Sequence, residues 1–157
     1  QDSERFFVEG LLRDLGHYVL YQYAPERAQS ALIEAGYLDA SLAEVEQSNI
    51  GCDFAEVGAE LVRSWGMPIQ IEQAIRHQLS PDEAGDYAQH ASIVHLAGEV
   101  VDYEERDPKR RPAEVPFHPQ AMKETGFVLT NLPELLRDAQ TQLNETLALV
   151  YPQAVAA

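Results

Sequence analysis

Apolar residues recur every three or four positions almost from one end of the chain to the other. That interval lays an apolar stripe along one side of a helix. No stretch alternates apolar and polar residues long enough to form a half-buried strand. The spacing therefore predicts an all-α protein. A chain of 157 residues is about one domain long and large enough to bury a real core. A single-domain bundle of about six to eight helices is expected.

The helices can be placed from their start and stop signals. Phe6, Phe7, Leu11 and Leu12 lead into Leu15–Leu20 and read as one helical run to about Tyr23. Pro25 suits a first turn, where its missing N–H costs nothing. Ala28, Ala31, Leu32 and Ala35 follow it, with Gly36 as the expected stop. Asp39 or Ser41 would cap a short helix with Leu42 and Val45, ending before Gly51. Asp53, with Glu56 three residues on, has the form of a capping box before Val57, Leu61, Val62 and Trp65. Trp65 and Met67 are expected in the core at a helix junction. Gly66 and Pro68 separate that helix from one carrying Ile69, Ile71, Ala74 and Ile75, which Ser80-Pro81 breaks. A long helix from about Ala84 to Tyr103 would turn Ile93, Val94, Leu96, Ala97, Val100 and Val101 inward. Residues 106–119 hold four prolines and four of the 11 basic residues, which reads as a loop. A short helix near 119–125 and a last one, capped by Asn131, complete the chain. The last one would bury Leu132, Leu135, Leu136, Leu143, Leu147 and Val150 and end at Pro152.

Charge and cysteine content remove several classes of function. Lys and Arg number 11 against 26 Asp and Glu, a net charge of −15. Nucleic acid is an improbable partner, because phosphate binding draws its strength from Lys and Arg. Anionic membrane surfaces are disfavoured in the same way. The lone Cys52 rules out an intrachain disulfide and any multi-cysteine metal site. No apolar run reaches the ~20 residues that span a bilayer, and QDSERFF is not a secretory signal. A cytoplasmic protein is expected. The chain opens at Gln1 inside a helical pattern, as though processed or cut from something longer.

The histidines and paired acids have plain readings. His90 and His95 point about 140° apart on a helix and would share a metal poorly, so His90 is expected at the surface and His95 packed or hydrogen-bonded. His17, three residues after Asp14, is the one tempting acid/base pairing, with a solvated or ion-paired role expected. His77 is expected to pack, and His118 carries no motif. Glu56 is explained by capping and Glu60 by a solvated face. Cys52, between a glycine and a capping Asp without a His partner, is read as a structural thiol.

Three segments carry a family resemblance: FFVEGLLRDLGHYVL (6–20), GCDFAEVGAELVRSWGMP (51–68), and AIRHQLSP with ASIVHLAGEVVD (74–102). Together they resemble the HDOD domain, a helical relative of the HD and HD-GYP metal-dependent phosphohydrolases of bacterial signalling proteins. The resemblance covers roughly residues 6–104. Residues 1–104 would be the HDOD-like helical core, with the Pro-rich basic loop and C-terminal helix of 105–157 packed on the same domain. The resemblance also implies further helices before residue 6, whose absence would leave an exposed apolar face.

HD enzymes hold divalent metal through a His-Asp pair and further imidazoles and carboxylates, which activate water against phosphate. The resemblance places Arg13-Asp14 where that pair would be. It places Phe54, Gln78 and Leu79 where relatives carry histidines, and Gly98 where a carboxylate is common. Arginine has no lone pair for a metal. Arg13 should instead pair with Asp14 and at least one other acid in or beside the cleft. No metal, cofactor or catalytic residue is expected. The resemblance then implies a non-catalytic bacterial signal-transduction module that binds a protein partner, such as the output part of a response regulator, with a homo-oligomer as an option. Two alternatives stay open. One is a divergent metal-dependent phosphohydrolase or phosphodiesterase using Asp14 and His17. The other is a sensor of a small anionic ligand or nucleotide beside Arg13.

Overall fold

The structure, a computed structural model, describes residues 2–106 and 117–150. Among these residues it is all helical: α1 Asp2–Leu12, α2 Leu15–Tyr23, α3 Pro25–Leu38, α4 Leu42–Ile50, α5 Phe54–Ser64, α6 Ile69–Arg76, α7 Ala88–Arg106, α8 Pro119–Thr125 and α9 Leu132–Val150. Short 3-10 turns at Pro81–Glu83, Gly85–Tyr87 and Leu129–Asn131 join the later ones. Most of the loop expected at 106–119 lies outside the described residues.

The single run expected over 6–23 is two helices, parted at Arg13 and Asp14. The break turns α2 onto α5 at a crossing that only glycine permits. A Cβ on Gly16 would stand 1.8 Å from the Phe54 carbonyl oxygen, and Gly58 meets the Gly16 backbone from the other side. Gly36 does not stop α3, which runs on to Leu38 and closes at Asp39 in the left-handed region, φ 52°. Asp53 caps α5 as its sequence indicates. Its carboxylate accepts the Glu56 N–H at 2.9 Å, and Glu56 accepts the Asp53 N–H at 3.3 Å.

The core is a chain of small clusters. Leu20, Ala28, Ala43 and Phe54 join α2 to α5. Ala59, Val62, Ile71 and Ile75 join α5 to α6, with Val8, Leu12 and Leu15 against them. Leu96, Val100, Phe117, Ala121 and Leu132 gather α7, α8 and the start of α9. Trp65 is not core but 56% exposed. Ala97 and Val101, expected inward on α7, are exposed as well. On α9, Leu132 is buried and Leu136 half-buried, while Leu135, Leu143 and Leu147 stand in the open. The reason is common to all of these positions: a stripe read from one helix does not say how far along it a neighbour extends. No helix among the described residues is long and apolar enough to cross a membrane.

Candidate functional site

The α1–α2 break, the start of α5, the end of α6 and the middle of α7 enclose a cleft of about 470 Å³. Arg13, Asp14, Phe54, Gln78, Leu79 and Gly98 all line it. Six positions spread over 86 residues of sequence (13 to 98) thus come together in one place. Each is held by its own local structure. Arg13 and Asp14 sit in the helix break, and Phe54 opens α5 behind the Asp53 cap. Gln78 is buried just beyond α6, where its Nε2 donates to the carbonyls of Arg13 (3.1 Å) and Ile75 (3.0 Å).

The Arg13 guanidinium is the centre of this arrangement. It lies 3.6 Å from Asp14 on one side and 3.6 Å from Asp102 on the other, with the side chain only 15% exposed. Its flat face rests on Gly98. A Cβ there would stand 2.7 Å from Arg13 Cζ and Nε. A charge so nearly buried stays favourable only when carboxylates answer it. Beyond Asp14 and Asp102, the cleft also holds Asp39 and Glu99.

Beside this arrangement sits a buried acid. Glu46 is inaccessible, with Oε1 3.2 Å from His17 Nδ1 and Oε2 accepting the Phe54 N–H at 3.0 Å. The His17 ring stacks on Phe54 at 4.1 Å between centroids. At the inner edge of the cleft, His95 donates from Nδ1 to the Gln78 carbonyl at 2.9 Å and accepts the His118 N–H on Nε2 at 3.2 Å. Burial pushes the His95 pKa down, and the neighbouring His118 and Arg13 add to the effect.

One expectation needs adjusting. His90 is not a surface residue: its Nδ1 lies 2.7 Å from Oε1 of fully buried Glu9, and Phe6 covers the ring. Burial raises the Glu9 pKa, against the opposing pull of His90, and its other oxygen has no partner. His118 caps α8 by accepting the Gln120 N–H and approaches Asp82 at 3.4 Å. Glu60 is tied to Arg63 and Arg76. Cys52 is half-buried against the Phe54 cluster, and burial raises its pKa, which disfavours the reactive thiolate. His77 is half-buried at the end of α6. Sequence reading passed over Glu9 and Glu46. An acid at a stripe-facing position of a short helix was the available signal for both.

These residues do not fit a divalent metal. Arg13 offers only donors, Phe54 and Leu79 only carbon, and Gly98 nothing, while the Gln78 amide nitrogen is committed to two carbonyls. Among the described residues no three His, Cys, Asp or Glu side chains come together where they could hold a metal ion.

Comparison with known proteins bears on the fold and the family. A crystal structure of a protein from Shewanella amazonensis SB2B, provisionally named a phosphohydrolase, is similar, with a TM-score of 0.65 and 25% sequence identity. The match covers 86% of this chain but 50% of that one, so this chain spans about half its neighbour's length. No curated protein matches. The family model for the HDOD domain matches residues 1–81, the stretch that builds the α2–α5 crossing and most of the cleft. The chain belongs to the HDOD domain family.

Proposed function

We propose that this chain is a non-catalytic signal-transduction module of a bacterial protein. It acts by binding a protein partner in the cytoplasm, as the output part of a response regulator would. The observation that carries this reading is the Arg13 guanidinium seated on Gly98 between Asp14 and Asp102. It occupies the floor of the cleft with a permanent cation, which repels a dication and gives it no ligand. Freed of ligands, a fold can keep the glycines and caps that build it and serve another purpose. The surface supports a binding role, since Tyr18, Tyr23 and Tyr37 are largely exposed, as are Phe7, Leu11 and Ile33, and tyrosines are enriched among the residues that anchor protein interfaces.

Metal analysis and a phosphodiesterase assay on the purified protein test the proposal. We expect neither bound iron, manganese or zinc nor turnover. Arg13→His is expected to leave metal content unchanged, because Phe54, Gln78, Leu79 and Gly98 still supply no ligand. Stoichiometric metal in that variant, or turnover by the native chain, would defeat the proposal.

One observation favours a second reading, that of a divergent phosphohydrolase. His17 borders the cleft with its Nδ1 turned to buried Glu46, the pairing that orients an imidazole for proton transfer. On this reading Asp14→Ala and His17→Gln each abolish an activity while the thermal transition persists. The anionic-ligand reading has less behind it, since one arginine in the cleft faces Asp14, Asp39, Glu99 and Asp102.

A further inference from the structure

Two histidines fix the head of α8, each through a ring nitrogen that must stay unprotonated. His95, on α7, has Nδ1 2.9 Å from the Gln78 carbonyl oxygen. A carbonyl only accepts, so Nδ1 carries the hydrogen and Nε2 the lone pair. That lone pair takes the His118 N–H at 3.2 Å. His118 is the reverse tautomer. Its Nδ1 accepts the Gln120 N–H at 3.3 Å and caps α8. The hydrogen then sits on Nε2, 3.4 Å from Asp82 in the turn Pro81–Glu83. The two rings meet edge to face, 5.9 Å between centroids.

Each lone pair is thus spent on a backbone N–H at the start of α8. A proton on either ring sets N–H against N–H, and a proton on both adds two like charges across that short gap. The joint matters because α8 is small. It has seven residues and buries one of them, Ala121, against Leu96 and Val100 of α7. Leu132 of α9 packs in the same cluster, so α9 is held through it as well.

The cleft brings Arg13 near His95, with its partners Asp14 and Asp102 and with His17 and Asp39. An adjoining hollow of about 530 Å³, also lined by His95, adds Glu44 of α4, Asp53 ahead of α5 and Glu99 of α7. Acids favour a charged imidazole and Arg13 opposes one. At His95 burial decides, and with His118 and Arg13 it outweighs the Gln78 hydrogen bond.

We infer that His95 and His118 form a pH-sensitive clasp: a proton on either ring frees α8, and the start of α9 with it, from Leu96 and Val100 of α7. Histidine changes charge between about pH 5 and 8, so modest acidification works the clasp. The closed form refuses a proton at His95 that the open form accepts, and opening grows easier as pH falls below about 6.5. The clasp is independent of what the cleft binds.

Hydrogen exchange of the full chain at about pH 7.5 and about pH 5, corrected for intrinsic rates, tests it. Protection in α8 and the first turns of α9 should fall at least about tenfold more than in α2, α5 and α6. His95→Gln and His118→Asn put an amide in place of each ring, able to donate and accept there but not to titrate. The double variant, its fold checked by circular dichroism, should keep its protection at the lower pH. Nitrogen-15 NMR of the native chain at about pH 7.5 should show the Nδ1–H tautomer at His95 and the Nε2–H tautomer at His118, a readout that depends on no variant. The opposite tautomers, protection in α8 that acid leaves unchanged or that falls evenly in all helices, or a folded double variant as acid-sensitive as the native chain would each overturn the inference.

Discussion

His95 shows how a single proton can be written into a fold. With Nδ1–H on the Gln78 carbonyl and Nε2 accepting the His118 N–H, the neutral ring is satisfied at both nitrogens. A second proton would set one N–H against another. Burial holds the folded chain's pKa below the ordinary 6.5, against the Gln78 hydrogen bond, which favours the charged ring. Below that pH the unfolded chain takes up a proton that the folded one refuses, so stability falls as pH drops. His95→Gln should remove that part of the acid-side decline, read from urea midpoints across the range. An unchanged acid slope would show that His95 is not its source. Glu9 works in the opposite sense. Its raised pKa means that the folded chain keeps a proton that the unfolded one releases, so stability is lost as pH rises from 4.5. Glu9→Gln should flatten that decline and leave the protein at least as stable at about pH 7; a variant that is clearly less stable there would mean that the charged pair with His90 outweighs burial. Neither histidine contact was visible in the sequence. Glu9 and His90 are 81 residues apart, Glu46 and His17 are 29 apart, and no periodicity links such positions.

Between helices, fit is decided by backbone. At Gly16 the obstacle to any Cβ is the Phe54 carbonyl, which cannot rotate away, whereas at Gly58 it includes the Ile75 Cγ2 methyl at 3.2 Å, which can shift a little. Gly16→Ala should therefore force α2 and α5 apart and cost roughly 3 kcal/mol or more, while Gly58→Ala costs about 1 kcal/mol. Denaturant midpoints of the two variants check the ranking, and equal losses would show that the crossing is looser than described. The start of α5 was legible because a capping box is a local signal, complete within four residues. The end of α3 was misread because glycine is only the commonest helix stop, and Asp39 takes the left-handed conformation in its place.

Across the whole molecule, the helical pattern sufficed for the fold class because each stripe must be covered by something. It did not say by what. The stripe of α9 is the clearest case: its leucines suggest a buried helix, yet Leu132 is the sole buried residue among those of α9 that are described. Leu132→Ala should free α9 from the body at a local cost of about 2–5 kcal/mol. Hydrogen exchange should then quicken over 132–150 while α2, α5 and α6 keep their protection. Slower folding or faster exchange throughout would mean that α9 supports the entire bundle. The cleft was legible as a set of positions, because the family pattern marks them. Its filling by Arg13 could be reasoned from charge, but the contact with Gly98 could not, since a glycine announces no partner.

The seat of Arg13 on Gly98 couples the two positions. A Cβ at 98 would stand 2.7 Å from the guanidinium, so a side chain there requires Arg13 to move. If Arg13 shortens or swings out, Asp14 and Asp102 lose the cation they share. A carboxylate gained at 98 would then add a third negative charge to the same spot. A substitution at 98 is thus felt first as lost charge pairing at the break between α1 and α2, and only second as a change in packing.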